Sequence, residues 1–351
     1  MSLNKTDLPW QNKIINPAQI GGIETSVLDN GPAAGTKIAW INTGSGLRYK
    51  VVIDRGMDIA EAFFNQYSLA WLSHGGVTAP RPDANSGLEW LYCFGGGLLA
   101  TCGLTHVGPP ESDDSGQRGL HGRISNIPAS IESIIQPNPA EQNPEMQITA
   151  LLKQSRYSGP NLEMRRTISG TIGQSKISIH DIVTNRGNSP CPHMLLYHCN
   201  FGFPLVDEGA DIIYDGKCLS RGLEMDDEIF NDKHNYRKCQ KPLDIHRATR
   251  EACGFIDVTA DSEGFCRVGI VNNKIDLALF MKYKKQQLPC LTNWQHWGQG
   301  EYVTALEPGT NPPIGQNKAK QQNKLIYIEP GESKNYDLEI EVKLLPDNSN
   351  D

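Results

Sequence analysis

The chain has 351 residues, of which 38% are hydrophobic and 21% are charged, the composition of a folded globular protein. Its net charge is −7 without a block of basic residues, which argues against nucleic acid or an anionic membrane as the main partner. No run of about 18 apolar residues occurs, so no transmembrane helix is expected. The amino-terminal residues lack the apolar centre of a secretion signal, and the nine cysteines form no CxxC pair. These features predict reduced thiols and a cytoplasmic protein.

Taken in chain order, the first predicted strand lies in residues 46–55 (GLRYKVVIDR), where apolar and polar side chains alternate. Residues 60–67 (AEAFFNQY) fit either a short helix or two short strands with a turn at Asn65–Gln66. The glycine, proline and acidic residues of 107–118 (VGPPESDDSGQR) predict a loop, and so does the composition of 135–145.

The second half of the chain continues the same pattern. Strands are predicted in residues 144–153 (PEMQITALLK) and at the start of 175–190 (SKISIHDIVTNRGNSP), which runs into a turn. Parts of 222–234 are the best remaining candidates for a helix. Residues 334–345 (KNYDLEIEVKLL) alternate apolar with charged side chains, which predicts a strand buried on one face.

Many short strands separated by turns predict an all-β sandwich or barrel. The chain shows no internal repeat and no long linker, so we expect residues 1–351 to form a single domain with its core at about 20–345. The last six residues, PDNSND, have the composition of a frayed end.

Four segments carry more polar side chains than a β-protein core requires. A polar side chain in a buried strand, such as a histidine, must be hydrogen-bonded or must line a cavity. Segments with several such polar side chains are therefore candidates for a binding site. The residues are Asp54, Arg55 and Asp58 in VVIDRGMDIA; His121, Arg123 and Asn126 in QRGLHGRISN; His198 and Asn200 in HMLLYHCNFGFP; and Trp294, His296 and Glu307 in NWQHWGQGEYVTALEPG.

Each segment also has a purely structural interpretation. Arg55 could form a local ion-pair network, His121 could brace its loop, His198 could be a satisfied core residue, and Glu307 before Pro-Gly could be a solvated turn residue. Together, however, they have the composition of a carbohydrate pocket, in which aromatic faces stack on a sugar ring and polar groups bind its hydroxyls. The predicted sugar contacts are His121, Arg123, Asn126, Asn200, His296, Arg55, His106 and Trp294.

A metal site is the main rival chemical interpretation. His106, His121, His198 and Glu307 have side chains of the type that bind divalent metals. The chain has no HxH or HxxxH pair and no zinc-type cysteine spacing, so no metal is expected to be required. The glycines of residues 94–103 (FGGGLLATCG) lack the Lys-Ser/Thr of a phosphate loop, and no cofactor is expected.

Three of these segments, LHGRISN, LLYHCNFGFPL and LEPGTN, resemble the aldose 1-epimerase (galactose mutarotase) superfamily in type and order. The chain is most similar to a bacterial branch of that superfamily in which DRGMDI and GLHGRISN recur, and the resemblance extends from about residue 20 to about residue 345. It implies a large antiparallel β-supersandwich.

The resemblance also implies roles for individual residues. In the family a strand histidine is the general acid, a late glutamate is the general base, and an earlier histidine orients the sugar; these correspond to His198, Glu307 and His121. Arg123 lies near the position of an arginine in related hexose-phosphate epimerases. The family's sugar-binding aspartate has no clear counterpart, and Asp226 or Asp227 is nearest by order.

The implied chemistry is exchange of sugar anomers. A base takes a proton from the anomeric hydroxyl, an acid gives one to the ring oxygen, and the opened ring closes on the other face. Glutamate with a pKa near 4 and histidine with a pKa near 6.5 could serve as base and acid with modest tuning.

Two other functions remain open. One is a non-catalytic carbohydrate-binding protein of the same fold. The other is an epimerase or isomerase acting at a different carbon, on a ketose or sugar acid, for which Arg55, His106 and His296 would be extra groups. The sequence names neither the sugar nor the oligomeric state.

Overall fold

The computed structural model describes residues 10, 12–138, 143–232, 235–247 and 250–346. In chain order the strands are β1 Gly22–Val27, β2 Lys37–Asn42, β3 Leu47–Val52, β4 Asp58–Phe64, β5 Tyr67–Ser68, β6 Ala100–Leu104, β7 Glu111–Asp113, β8 Gly116–Arg118, β9 Ser130–Ile135, β10 Glu145–Ser155, β11 Asn161–Thr171, β12 Lys176–Asn185, β13 Cys191–Phe201, β14 Asp211–Ile213, β15 Gly216–Ser220, β16 Ala252–Val258, β17 Phe265–Asn272, β18 Leu277–Lys284, β19 Cys290–Trp297, β20 Tyr302–Gly309, β21 Ile326–Ile328 and β22 Ser333–Leu344. The α-helices are α1 Glu224–Ile229 and α2 Gln316–Gln321, and 3-10 helices cover Pro17–Gln19, Gly31–Ala33, Glu89–Cys93, Ile124–Asn126 and Asp244–His246. No helix in these described ranges is long and apolar enough to cross a membrane.

The strands form four antiparallel sheets, which confirms the predicted all-β class. An eight-stranded sheet has the order β14-β17-β18-β22-β12-β11-β10-β9, and a five-stranded sheet runs from β1 to β5. A seven-stranded sheet has the order β15-β16-β19-β20-β13-β21, with β6 also paired to β13, and β7 pairs with β8 as a separate hairpin. The seven-stranded sheet carries five of the residues singled out from the sequence: His198, Asn200, Trp294, His296 and Glu307.

The alternating pattern of residues 334–345 becomes β22. Tyr336, Leu338 and Ile340 are buried, whereas the residues between them are partly exposed. Successive side chains of a strand point to opposite faces, so the apolar face joins a hydrophobic core shared by the sheets. Burial of Leu338 or Ile340 contributes about 1.5–3 kcal/mol each relative to an exposed position.

A buried polar network holds β13 in place on the sheet face opposite that of His198. The Tyr197 hydroxyl donates to the Asp181 carboxylate at 2.7 Å, and Arg166 donates two further hydrogen bonds to that carboxylate at 2.8 and 2.6 Å. All three side chains are fully buried. Because neighbouring residues of a strand face opposite sides, this anchorage of Tyr197 directs His198 to the other face of the sheet.

Local structure departs from the sequence-based expectation in several places. Residues 60–67 form the end of β4 and the first residue of β5 with a turn between them, which is the strand alternative. The predicted loop 107–118 contains the β7–β8 hairpin, so that prediction was too simple. Within 222–234 the helix is α1, whereas α2 was not predicted. Of the predicted frayed end, residues 347–351 lie outside the described residues.

Candidate functional site

The floor of the site is formed by three adjacent strands. In the β13–β20 pair, Leu196 lies opposite Gly309 and Cys199 opposite Leu306, and this common register places His198 opposite Glu307. The β19–β20 pair places Thr292 opposite the same glutamate. Residues opposite each other in a sheet have side chains on the same face. The His198 Nε2 atom lies 3.3 Å from the Glu307 Oε1 atom, and these side chains are only 8% and 3% exposed. We call His198, Glu307 and Thr292 the site floor.

Aromatic side chains lie over this floor and are called the aromatic cover: Trp90, Phe94, His121 and Trp294. The ring centroids of Phe94, Trp294 and His121 lie 5.3, 5.5 and 6.0 Å from that of His198. Trp90 stacks on Phe94 with centroids 4.4 Å apart. Aromatic faces of this kind are suited to packing against the apolar face of a sugar ring.

Local backbone geometry brings two cover residues inward. The 3-10 helix Glu89–Cys93 buries Trp90, whose indole nitrogen donates to the Ser125 hydroxyl at 3.0 Å. His121 has a φ of 58° and precedes Gly122, whose φ is 76°. A Cβ atom at Gly122 would lie 2.4 Å from a backbone oxygen, so a larger residue there would displace the chain. The His-Gly sequence therefore turns His121 toward the floor.

Burial changes the proton affinities of the site. It raises the pKa of Glu307 well above its usual value, with a smaller contribution from Glu251. It lowers the pKa of His198 to about 4, which the Asn200 side chain partly opposes, and it lowers the pKa of His121 to about 3. The expectation of ordinary values near 4 for glutamate and 6.5 for histidine is therefore wrong, because both charged forms lose water on burial.

Several buried polar atoms around the floor have no hydrogen-bond partner within the described residues. Because an unsatisfied buried polar atom is costly, four of them around one floor are available to bind a polar ligand. These atoms are His121 Nδ1, His198 Nδ1, Asn200 Oδ1 and Thr292 Oγ1.

A second carboxylate lies beside the aromatic cover. The Trp294 indole nitrogen donates to Glu251 at 2.6 Å, and Arg221 forms an ion pair with Glu251 at 3.1 Å. Arg221 is also held by Asp226, which is fully buried and accepts two backbone N–H bonds besides those from the arginine. Asp226 is therefore occupied, whereas Asp227 is exposed on α1. Glu251 is the acidic group that adjoins the site.

Comparison with known proteins identifies the family. A family model described as a domain of unknown function (DUF4432) matches residues 33–342, which is most of the chain. The chain belongs to the DUF4432 family. No curated protein matches it significantly.

Solved structures show that this DUF4432 member has a galactose mutarotase-like fold. A candidate aldose 1-epimerase from Klebsiella pneumoniae subsp. pneumoniae MGH 78578 is 26% identical, with a TM-score of 0.81, over 93% of this chain and 86% of that one. A galactose mutarotase-like protein from Clostridium acetobutylicum is 10% identical, with a TM-score of 0.61, over 93% and 100% of the two chains. The galactose 1-epimerase from Lactobacillus acidophilus NCFM is 11% identical, with a TM-score of 0.59, over 92% and 99%.

Three of the predicted sugar contacts lie in supporting positions in this DUF4432 member. The Arg55 guanidinium donates to the carbonyl oxygens of Ser125 and Cys93 at 2.6 and 2.8 Å and to the Thr78 hydroxyl at 2.7 Å. His106 Nε2 lies 2.8 Å from a backbone carbonyl oxygen in its own loop. The Asn126 oxygen accepts from a backbone N–H of residue 81 at 3.1 Å. Arg55 thereby holds the segment that carries the aromatic cover.

The other predicted contacts are distributed around the site. Asn200 follows His198 on the same face and donates to the carbonyl oxygens of Gly97 and His198, both at 3.0 Å. His296 contacts Trp294 with ring centroids 6.3 Å apart and lies 2.7 Å from the Glu301 backbone oxygen through Nδ1. The structure shows Arg123 donating to a carbonyl oxygen of residue 82 at 3.1 Å, in a partly exposed position.

Sequence reasoning missed Trp90, Phe94, Glu251 and Thr292. Trp90 and Phe94 lie in a long connection without strand or helix periodicity, so only their aromatic character could have singled them out. Glu251 and Thr292 show no motif and gain importance only through residues distant in the chain: Glu251 through Trp294 and Arg221, and Thr292 through its cross-strand partner Glu307. Within the described ranges, no group of three or more His, Cys, Asp or Glu residues is placed to hold a metal ion.

Proposed function

We propose that the chain is a sugar epimerase of the aldose 1-epimerase type, which opens and recloses a free aldose at its anomeric carbon. The observation that carries the proposal is the His198–Glu307 pair, whose Nε2 and Oε1 atoms are 3.3 Å apart on one sheet face beneath the aromatic cover. The fold shared with a galactose 1-epimerase supports it. Fold alone does not determine activity, so the His198–Glu307 pair is the main support for this proposal.

The reaction needs one proton acceptor and one proton donor near the anomeric carbon. Glu307 takes the proton of the anomeric hydroxyl, and protonated His198 gives a proton to the ring oxygen as the bond between that oxygen and the anomeric carbon breaks. Rotation about the C1–C2 bond and reversal of the two transfers give the other anomer. The pair holds one proton before and after each cycle, so the transfers balance.

Burial leaves one proton on the pair and favours its place on Glu307, so a bound sugar has to shift that proton to His198 before the two transfers. A raised pKa of Glu307 and a pKa of about 4 for His198 mean that the pair keeps a single proton over the pH range between the two values. Titrations of two groups in contact belong to the pair rather than to either residue. A sugar that is hydrogen-bonded to both Glu307 and His198 favours the arrangement in which Glu307 is ionised, because a carboxylate accepts a hydrogen bond from a sugar hydroxyl more strongly than a neutral carboxyl group does.

His121 and Trp294 bind the sugar in this proposal. His121 offers an unpartnered Nδ1 atom over the floor, and the Trp294 ring borders His198. Because the His198 and Glu307 side chains are almost fully covered, a sugar reaches them only if part of the aromatic cover moves aside. The whole chain is proposed as one domain that works in the cytoplasm without a cofactor.

The test is anomer exchange measured by NMR on a panel of pure neutral aldoses, with the uncatalysed rate as reference. The proposal expects at least one aldose to exchange faster with the protein and expects His198→Ala to remove that acceleration. Sugar binding without any acceleration would instead support a carbohydrate-binding protein of the same fold. Conversion to a sugar epimeric at another carbon would point to the alternative epimerase.

A further inference from the structure

Thr292 is a buried threonine whose hydroxyl is unpaired within the described structure. Its side chain is 1% exposed, and its Oγ1 atom has no hydrogen-bond partner there. Buried threonine hydroxyls usually bond to a nearby carbonyl oxygen, as Thr304 on the neighbouring strand does with the carbonyl oxygen of Trp294 at 3.0 Å. The hydroxyl of Thr292 is therefore a buried polar group that is available to a ligand.

Thr292 also occupies a defined place in the site floor. Cross-strand partners have Cβ atoms about 4.5–5.5 Å apart, and Glu307 is the partner of both Thr292 and His198. The three side chains therefore form a row across β13, β20 and β19, with Glu307 in the middle. The contact of 3.3 Å between His198 and Glu307 confirms that the row faces one side.

The order of this row matches the order of oxygens around an anomeric carbon. The anomeric carbon of a pyranose carries the C1 hydroxyl and is bonded to the ring oxygen on one side and to C2 on the other. If Glu307 contacts the C1 hydroxyl and His198 the ring oxygen, the third position, beyond Glu307, is that of the C2 substituent. We propose that the Thr292 hydroxyl binds the C2 hydroxyl of the sugar and makes this site selective for 2-hydroxy sugars. This inference rests on the proposed function of the same site.

The selectivity follows from the cost of an unpaired polar group. A sugar with a C2 hydroxyl pairs with Thr292, whereas a 2-deoxy sugar leaves Oγ1 buried without a partner. Loss of one neutral hydrogen bond is worth on the order of tenfold in affinity. Because the contact is present in the bound substrate as well as during reaction, its loss acts mainly on KM.

The experiment measures anomer exchange and equilibrium binding for matched sugars: D-glucose with 2-deoxy-D-glucose, D-galactose with 2-deoxy-D-galactose, and D-ribose with 2-deoxy-D-ribose. The proteins are the parent, Thr292→Val, Thr292→Ser and Thr36→Val. Thr36 is a matched control because it is also 1% exposed with an unpartnered hydroxyl, but it precedes β2 in the other part of the fold.

The parent is expected to prefer each 2-hydroxy sugar that it binds by on the order of tenfold over its 2-deoxy partner. Thr292→Val should raise KM for the 2-hydroxy sugar by a similar factor, leave the 2-deoxy sugar unchanged and remove the preference, while Thr292→Ser retains it. Thr36→Val should match the parent. Neither valine variant should unfold at lower urea concentration, because no hydrogen bond of the ligand-free protein is lost.

Two results would overturn the assignment. If Thr292→Val lowers affinity for both sugars of a pair equally, the residue shapes the pocket but does not bind the C2 hydroxyl. If it changes kcat and the pH profile but not the preference, its hydroxyl acts on Glu307 instead. In both cases anomer exchange by the parent would still support the proposed function. A parent that neither binds nor converts any of the six sugars would contradict the proposed function and this inference together.

Discussion

Replacement of Glu307 by glutamine is the most direct perturbation of the site. The change keeps the shape of the side chain and removes the proton acceptor. A positioned acid or base contributes about 100- to 10,000-fold to a rate, and Glu307 should lie in this range because its side chain is only 3% exposed and solvent water has little access as a substitute base. Sugar affinity should change little, since the amide oxygen still accepts a hydrogen bond.

The pH dependence gives the same variant a second signature. In the parent, kcat/KM should fall at low pH as the pair gains a second proton near the pKa of His198, about 4, and at high pH as it loses its single proton. The high-pH limb reflects the raised pKa of Glu307, so it should lie well above 4.5. Glu307→Gln should lose that limb in whatever residual activity remains.

Stability should also respond to pH in a defined direction. Because the folded state raises the pKa of Glu307 above its unfolded value, the folded protein binds more protons there, and stability falls as pH rises above about 4.5. The slope is at most about 1.4 kcal/mol per pH unit. The lowered pKa of His198 acts oppositely between about 4 and 6.5 and offsets part of this loss in that range. Glu307→Gln should lack this loss in urea unfolding.

The assay is NMR anomer exchange on the best aldose of the panel, together with sugar binding and urea unfolding. Glu341→Gln is the control, because Glu341 lies on β22 with a side chain that is 43% exposed. It should match the parent within about 0.5 kcal/mol of stability and show the parent rate. An unchanged rate in Glu307→Gln would refute its role as base, even if the parent is an active mutarotase.

Three further predictions concern the support and chemistry of the site. Arg55→Met should lower the free energy of unfolding by about 3 kcal/mol in urea denaturation, because it leaves the buried carbonyl oxygens of Ser125 and Cys93 and the partly buried Thr78 hydroxyl without this donor; a loss below about 1 kcal/mol would contradict the role of Arg55 in holding this segment. Trp294→Phe should weaken sugar binding measured by calorimetry, because the smaller ring covers less of the sugar and the hydrogen bond to Glu251 is lost; equal affinity would exclude Trp294 as a sugar contact. Exhaustive chelation should leave the exchange rate unchanged, and activity restored by one divalent ion would favour a metal isomerase.

The strand pattern was readable from local sequence because it depends on a period of two. In β22 the alternation of Tyr336, Leu338 and Ile340 with charged residues determines which face is buried, whatever the partner strand is. The histidine of β13 could be singled out for the same reason, since a polar residue in a strand of apolar neighbours requires a partner or a cavity. The predicted loop 107–118 failed because its paired strands are short and polar, so they carry little periodic signal.

The sequence by itself determined the all-β class and the positions of several longer strands, because these depend on patterns within single segments. The candidate acid and base came from the resemblance of the chain to the aldose 1-epimerase superfamily. The tertiary structure decided which residues from different segments are in contact. The register of β13, β20 and β19 brings His198, Glu307 and Thr292 into one row, and residues far apart in the chain meet only through that pairing. The same packing excludes water from the row, which raises the pKa of Glu307 and lowers that of His198, and burial of this kind is a property of the assembled sheets rather than of any one segment.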